Sequence, residues 1–119
     1  MNWQKEKKRF ASAWEGMKTA IKEEEHMRVH IALAVLAIAA AAVVGISKWE
    51  WLILLLTIGS VITLELVNTA VERVVNLVTT DFHPLAKAAK DIAAAAVLFA
   101  AIVAVIIGII IFLPHMMDK

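Results

Sequence analysis

Cysteine is absent from this 119-residue chain, which excludes a disulfide framework, a thiolate metal site and a cysteine nucleophile. An excess of one charge sign is missing too. Twelve Lys and Arg stand against eleven Asp and Glu, for a formal net charge of +1, so the global charge gives no footprint for nucleic acid. Internal repeats and low-complexity linkers are also lacking, which leaves one continuous architecture to explain.

What is abundant is apolar surface. Hydrophobic residues make up 61% of the chain and mean hydropathy is +0.78, against an apolar share of about 45 to 50% in soluble domains. A body this small exposes too much of its chain to hide that surface, so lipid must cover it. A charged leader of 28 residues precedes three apolar blocks at 29–46, 51–64 and 92–113, the second with a polar continuation to residue 80. The pattern predicts an all-α integral membrane protein: a single membrane domain over 1–119, with an amphipathic surface helix at 1–28 and transmembrane helices at 29–47, 50–79 and 84–113. The last block alone can cross ~30 Å of hydrocarbon. The first is alanine-rich through 37–42, which suits close helix packing. A cleavable signal peptide does not fit, because the leader is too long and two more spans follow the first.

In the leader, Trp3, Phe10, Trp14, Met17 and Ile21 recur at helical spacing with lysines on either side. The stripe predicts a helix on the anionic inner leaflet or one packed against the spans, and one helix can do both. It brings Glu23, Glu24 and Glu25 near the cytoplasmic mouth of the bundle.

The second block carries the chemistry. Glu65, Asn68, Glu72 and Asn76 follow at intervals of 3, 4 and 4, which confines them to an arc of about 80° on one helix face. Ionisable groups at membrane depth are expensive and mark functional sites facing the bundle interior or water. Glu65 lies roughly 21 Å along the helix from Trp51 at the outer interface, in the inner part of the hydrocarbon. Past the second loop, His83-Pro84 can start a helix that carries Lys87, Lys90 and Asp91 at the cytoplasmic interface. Glu24, Glu65 and Glu72 are hard oxygen ligands that favour Mg²⁺ over zinc. Magnesium with a lysine and a carboxylate base suits phosphoryl transfer. Taken singly, Lys90 also fits a helix-end anchor, Asp91 a helix-dipole partner, and Asn68 and Asn76 interhelical bonds. His30 and His115 look like interface or tail residues without a role.

Neither the G-x-x-x-x-G-K-S/T phosphate cradle nor a soluble-kinase catalytic loop occurs, so any ATP chemistry must be built by the membrane helices. The segments EEEHMRVH (23–30), ELVNTAVERVVNL (65–77) and HPLAKAAKDIAAAAVL (83–98) resemble the small bacterial integral-membrane lipid kinases, the diacylglycerol kinase and undecaprenol kinase family. The resemblance implies Glu65 as catalytic base and Glu24 and Glu72 as magnesium ligands. It implies Asn68, Lys90, Asp91, Asp81, Phe82 and His83, with Lys5 and Ser12 of the leader, as the ATP site, and Glu65, Trp14 and Ala94 as the lipid site. It further implies a homotrimer of three-span protomers with active sites at subunit boundaries, in the bacterial cytoplasmic membrane. Three positions depart from the family pattern: Glu25 and His26 after Glu24, and Asn76 where aspartate is usual. The HPLAKAAKDIAA form is similar to the Gram-positive branch, favouring undecaprenol as the lipid alcohol over diacylglycerol. The contrasting class is a nonenzymatic cation-binding membrane bundle.

The positive-inside rule gives the first testable expectation. Three spans place ten of the twelve Lys and Arg on the side of the N-terminus and leave Lys48 and Lys119 opposite, so the N-terminus is expected in the cytoplasm, with Trp49 outside. A cysteine introduced as Lys48→Cys should react with an impermeant thiol reagent from outside intact cells; reaction from the cytoplasmic side alone would invert the topology.

Overall fold

The computed structural model describes residues 2–118, which are 91% helical with no strand among them. Four helices run in order: α1 (Trp3–Glu23), α2 (Glu25–Val44), α3 (Lys48–Val78) and α4 (Pro84–Met117). The last three are long and apolar enough to cross a membrane. The expectation for Lys119 lies outside the described residues.

Each boundary has a local cause. Asn2 caps α1 by accepting from the amides of Gln4 and Lys5. The leader helix ends at Glu23, earlier than the charge pattern predicts, because Glu24 turns to extended backbone (φ −112°, ψ 111°). Arg28 holds the break: its guanidinium donates to the terminal carbonyls of Ile21 and Lys22 at 2.8 and 2.9 Å, satisfying acceptors that a helix end leaves orphaned. α2 stops at Gly45, whose φ of +77° is the left-handed conformation that glycine adopts without a Cβ clash. Ser47 and Glu50 then form a reciprocal capping box that starts α3. Pro84 occupies the first turn of α4 and His83 caps it, Nδ1 accepting from the amide of Leu85 at 3.1 Å. α4 runs through Pro114 in its last turn to Met117, beyond the apolar block that ends at 113.

α3 is the central helix, packed on α2 and on α4, with α1 against α2 and α3. The inward positions of α2 are Met27, His30, Ala34, Ala37, Ala41 and Val44, and those of α3 are Trp51, Leu54, Ile58, Val61 and Glu65. Both sets step by threes and fours, the seam of two helices crossing at a shallow angle. Their register is antiparallel. Ala41 and Leu54 share one buried cluster, and eleven residues further along each helix His30 meets Glu65. Between lipid-covered helices there is no solvent-driven attraction, so close approach over small side chains supplies the cohesion; Ala37 and Ala41 provide it at the end of the seam where they join the buried cluster. α4 packs on α3 in a second antiparallel pair, tied at one end by His115 to Glu50 and at the other by Lys90 to Asn76.

The apolar stripe of α1 divides. Ala20 is buried, Met17 and Ile21 are half-buried, and Trp3, Phe10 and Trp14 stay exposed. The C-terminal half of the helix therefore packs on the bundle, and its N-terminal half presents the free apolar face of an interfacial helix.

His115 is a correction to the sequence reading. Its Nε2 lies 3.0 and 3.3 Å from the two oxygens of Glu50, joining the end of α4 to the capping box at the start of α3. A double-mutant cycle of Glu50→Ala and His115→Ala, read by unfolding in mixed micelles, should give a favourable coupling energy. Strict additivity would reduce the pair to a contact without consequence.

Candidate active site

The seam that packs α3 on α2 also buries its acid. Glu65 continues the Leu54, Ile58, Val61 spacing by one more step and is 4% exposed. One turn on, Thr69 is buried as well, and its hydroxyl donates to the Glu65 carbonyl at 3.0 Å. Opposite stands His30, with Nε2 3.4 Å from Glu65 Oε2. The sequence reading gave His30 no role, and the structure corrects that. The signal was present in the 3–4 phase that links His30 with Met27, Ala34 and Ala37, but its use required the register of α2 on α3.

Towards the end of α3, Asn68 donates from Nδ2 to Glu72 Oε1 at 3.3 Å. Its own Oδ1 is buried with no hydrogen-bond partner, and a buried acceptor left bare calls for a donor or a cation. Glu24 stands at the break between α1 and α2, and its side chain makes no cap hydrogen bond to α2. Arg73 reaches from α3 to Glu23 at 2.9 Å and approaches Glu24 at 4.0 Å, so this cation tethers the leader helix and leaves Glu65 to His30. Lys90 donates to Asn76 Oδ1 at 2.7 Å. Asn76 is neutral, so it orients the ammonium without cancelling its charge.

The other expected residues lie on the surface of the chain. Lys5, Ser12 and Trp14 are exposed on α1, Asp81 and Phe82 are exposed in the loop before α4, and Ala94 is exposed on α4. Asp91 forms an exposed ion pair with Lys87 at 2.6 Å, a type of contact worth little in water.

The family model for prokaryotic diacylglycerol kinase matches residues 11–112. The chain belongs to the prokaryotic diacylglycerol kinase family. These are membrane lipid kinases, and the similarity extends along most of the molecule. The chain is 43% identical over 109 residues to the undecaprenol kinase of Bacillus subtilis, covering 92% of this chain and 89% of that one. It is 43% identical over 110 residues to a diacylglycerol kinase of Synechocystis, covering 92% of this chain and 63% of that protein. Identity to the Escherichia coli diacylglycerol kinase is 32% over 103 residues, 87% and 84% of the two chains.

A lipid kinase of this family needs a place for polyphosphate, for a lipid alcohol and for the proton between them. Glu65 is the buried acid on the polar face, and its neighbour His30 lines apolar volume. An apolar cavity of about 290 Å³ runs from His30 past Ala34, Ala37, Val61 and Ala104 to Phe112. Among the described residues, no group of three or more His, Asp or Glu lies close enough to hold a metal ion. Magnesium does not require one. It binds proteins through one or two carboxylates and completes its shell with water and substrate phosphates. The bare Oδ1 of Asn68 beside the Glu72 carboxylate is a hard oxygen pair of that kind.

Proposed function

We propose that this lipid kinase transfers the γ-phosphate of ATP to the hydroxyl of a membrane lipid alcohol, with undecaprenol preferred over diacylglycerol. The observation that carries the reading is the buried Glu65 carboxylate, with no lysine or arginine within 4.0 Å among the described residues. A carboxylate held at membrane depth without a permanent cation serves as a proton acceptor better than as a structural ion. As the lipid oxygen attacks the γ-phosphorus, Glu65 takes the hydroxyl proton, and the bond from phosphorus to the ADP oxygen breaks with its electron pair leaving on ADP. Lys90, oriented by Asn76, presents a positive charge to the phosphates. Glu24 and Glu72, with Asn68 beside Glu72, are the residues to hold Mg²⁺, which when bound supplies charge neutralisation for the polyphosphate.

The undecaprenol preference rests on the HPLAKAAKDIAA segment and on the Bacillus relative, which matches over 89% of its length. Equal identity to a diacylglycerol kinase keeps diacylglycerol as the second reading. A homotrimer with sites between subunits is part of the proposal. It is supported by the exposure of Lys5, Ser12, Trp14 and the loop 81–83 on a single chain while Glu65 is buried. The bacterial cytoplasmic membrane with an inside N-terminus is the proposed location, supported by three spans and the distribution of Lys and Arg.

With both lipids offered in competition to the purified protein and Mg–ATP, undecaprenol should be phosphorylated faster. Glu65→Gln should retain ATP binding and lower kcat by about 10² to 10⁴, the usual contribution of a general base. Phosphorylation by that variant within a few-fold of the parent would take the base role from Glu65. Glu72→Gln, nearly isosteric but uncharged, should weaken magnesium-dependent nucleotide binding while leaving the bundle folded. An unaltered magnesium dependence would remove Glu72 from the metal site.

A further inference from the structure

The Glu65 carboxylate has one ionisable neighbour within 4.0 Å among the described residues, and that neighbour is an imidazole. His30 reaches it from the inward face of α2, with a side chain 18% exposed against 5% for Glu65. The ring makes no helix cap and joins no other ion pair among the described residues. It also lines the inner end of the apolar cavity, so a lipid hydroxyl arriving at Glu65 from that side passes the ring.

The choice of side chain has a physical consequence. A permanent cation facing a general base stabilises its anion and makes it a poorer proton acceptor. An imidazole N–H can orient the carboxylate without imposing a fixed charge. At 3.4 Å the resting contact is longer than a strong hydrogen bond, and catalytic contacts of this length commonly tighten when substrate binds.

We propose that His30 is a positioning residue for the catalytic base: its Nε2, 3.4 Å from Glu65 Oε2 and not hydrogen-bonded to it at rest, donates to that oxygen when substrate binds and fixes the carboxylate so that Oε1 faces the lipid hydroxyl. The inference rests on the lipid kinase reading with Glu65 as base. His30 exchanges no proton with the substrate. The hydroxyl proton goes to Glu65 Oε1, the lipid oxygen bonds to the γ-phosphorus, and ADP departs with the electron pair of the broken bond.

The test uses the full-length protein in mixed micelles with undecaprenol and Mg–ATP, comparing His30→Leu, which fills the space without a donor, with His30→Gln, which restores one. His30→Leu should lower kcat about tenfold, the order expected for a hydrogen bond to a charged group, with KM for ATP within twofold of the parent. His30→Gln should recover to within about threefold of the parent kcat. In a Glu65→Gln background, His30→Leu should cost nothing further, because the group it positions is gone. A His30→Leu kcat within twofold of the parent overturns the proposal, as does a further tenfold loss in the Glu65→Gln background. If His30→Leu fails to fold, His30→Ala takes its place under the same criteria, and a tenfold loss in His30→Gln at unchanged KM for ATP refutes the role. Parent-like turnover by Glu65→Gln is a separate result, which removes the base reading itself and the positioning role with it.

Discussion

A polar side chain in hydrocarbon must find its partners inside the protein, and the arrangement of this bundle follows from how α3 meets that demand. Its inward face is one uninterrupted seam, apolar from Trp51 to Val61 and polar from Glu65 onward. The same threefold and fourfold spacing that packs Leu54 against Ala41 and Ile111 carries Glu65 to a buried position. Packing and chemistry therefore share a helix face, and whatever fixes the register of α3 on its neighbours also fixes what the acid sees.

Two polar clasps hold α3 against α4, Glu50 to His115 and Asn76 to Lys90, nearly the length of α3 apart. Between them the contact is largely aliphatic, where packing over small side chains replaces the hydrophobic driving force available in water. Arg73 and Arg28 do comparable work at the corner with α1: one ties α3 to Glu23, the other closes the end of the leader helix. Glu24 is left at a fixed bend with its carboxylate unused by the helix cap. The corner thus leaves that carboxylate 4.0 Å from the Arg73 guanidinium of α3.

Asn76 accepts the Lys90 hydrogen bond through a neutral amide, which leaves the ammonium charge whole. The Glu25-His26 departure lies in the first turn of α2, on exposed positions, and it leaves the buried seam untouched.

The sequence by itself determined the number of spans, the polar face of α3 and the breaks at Gly45 and His83-Pro84, because these depend on hydropathy, helical period and local backbone preference within a few residues. It also put Glu65 on the inward phase of α3, where the structure finds it buried. Only the tertiary structure decided that His30 faces Glu65, that His115 holds Glu50, that Lys90 meets Asn76, and that the leader ends at Glu23 under the Arg28 guanidinium. All four contacts join different helices, the Arg28 contact across the break between α1 and α2. In a chain of solitary histidines and scattered lysines, pairing is set by the antiparallel register of whole helices, which the period of any single helix does not contain.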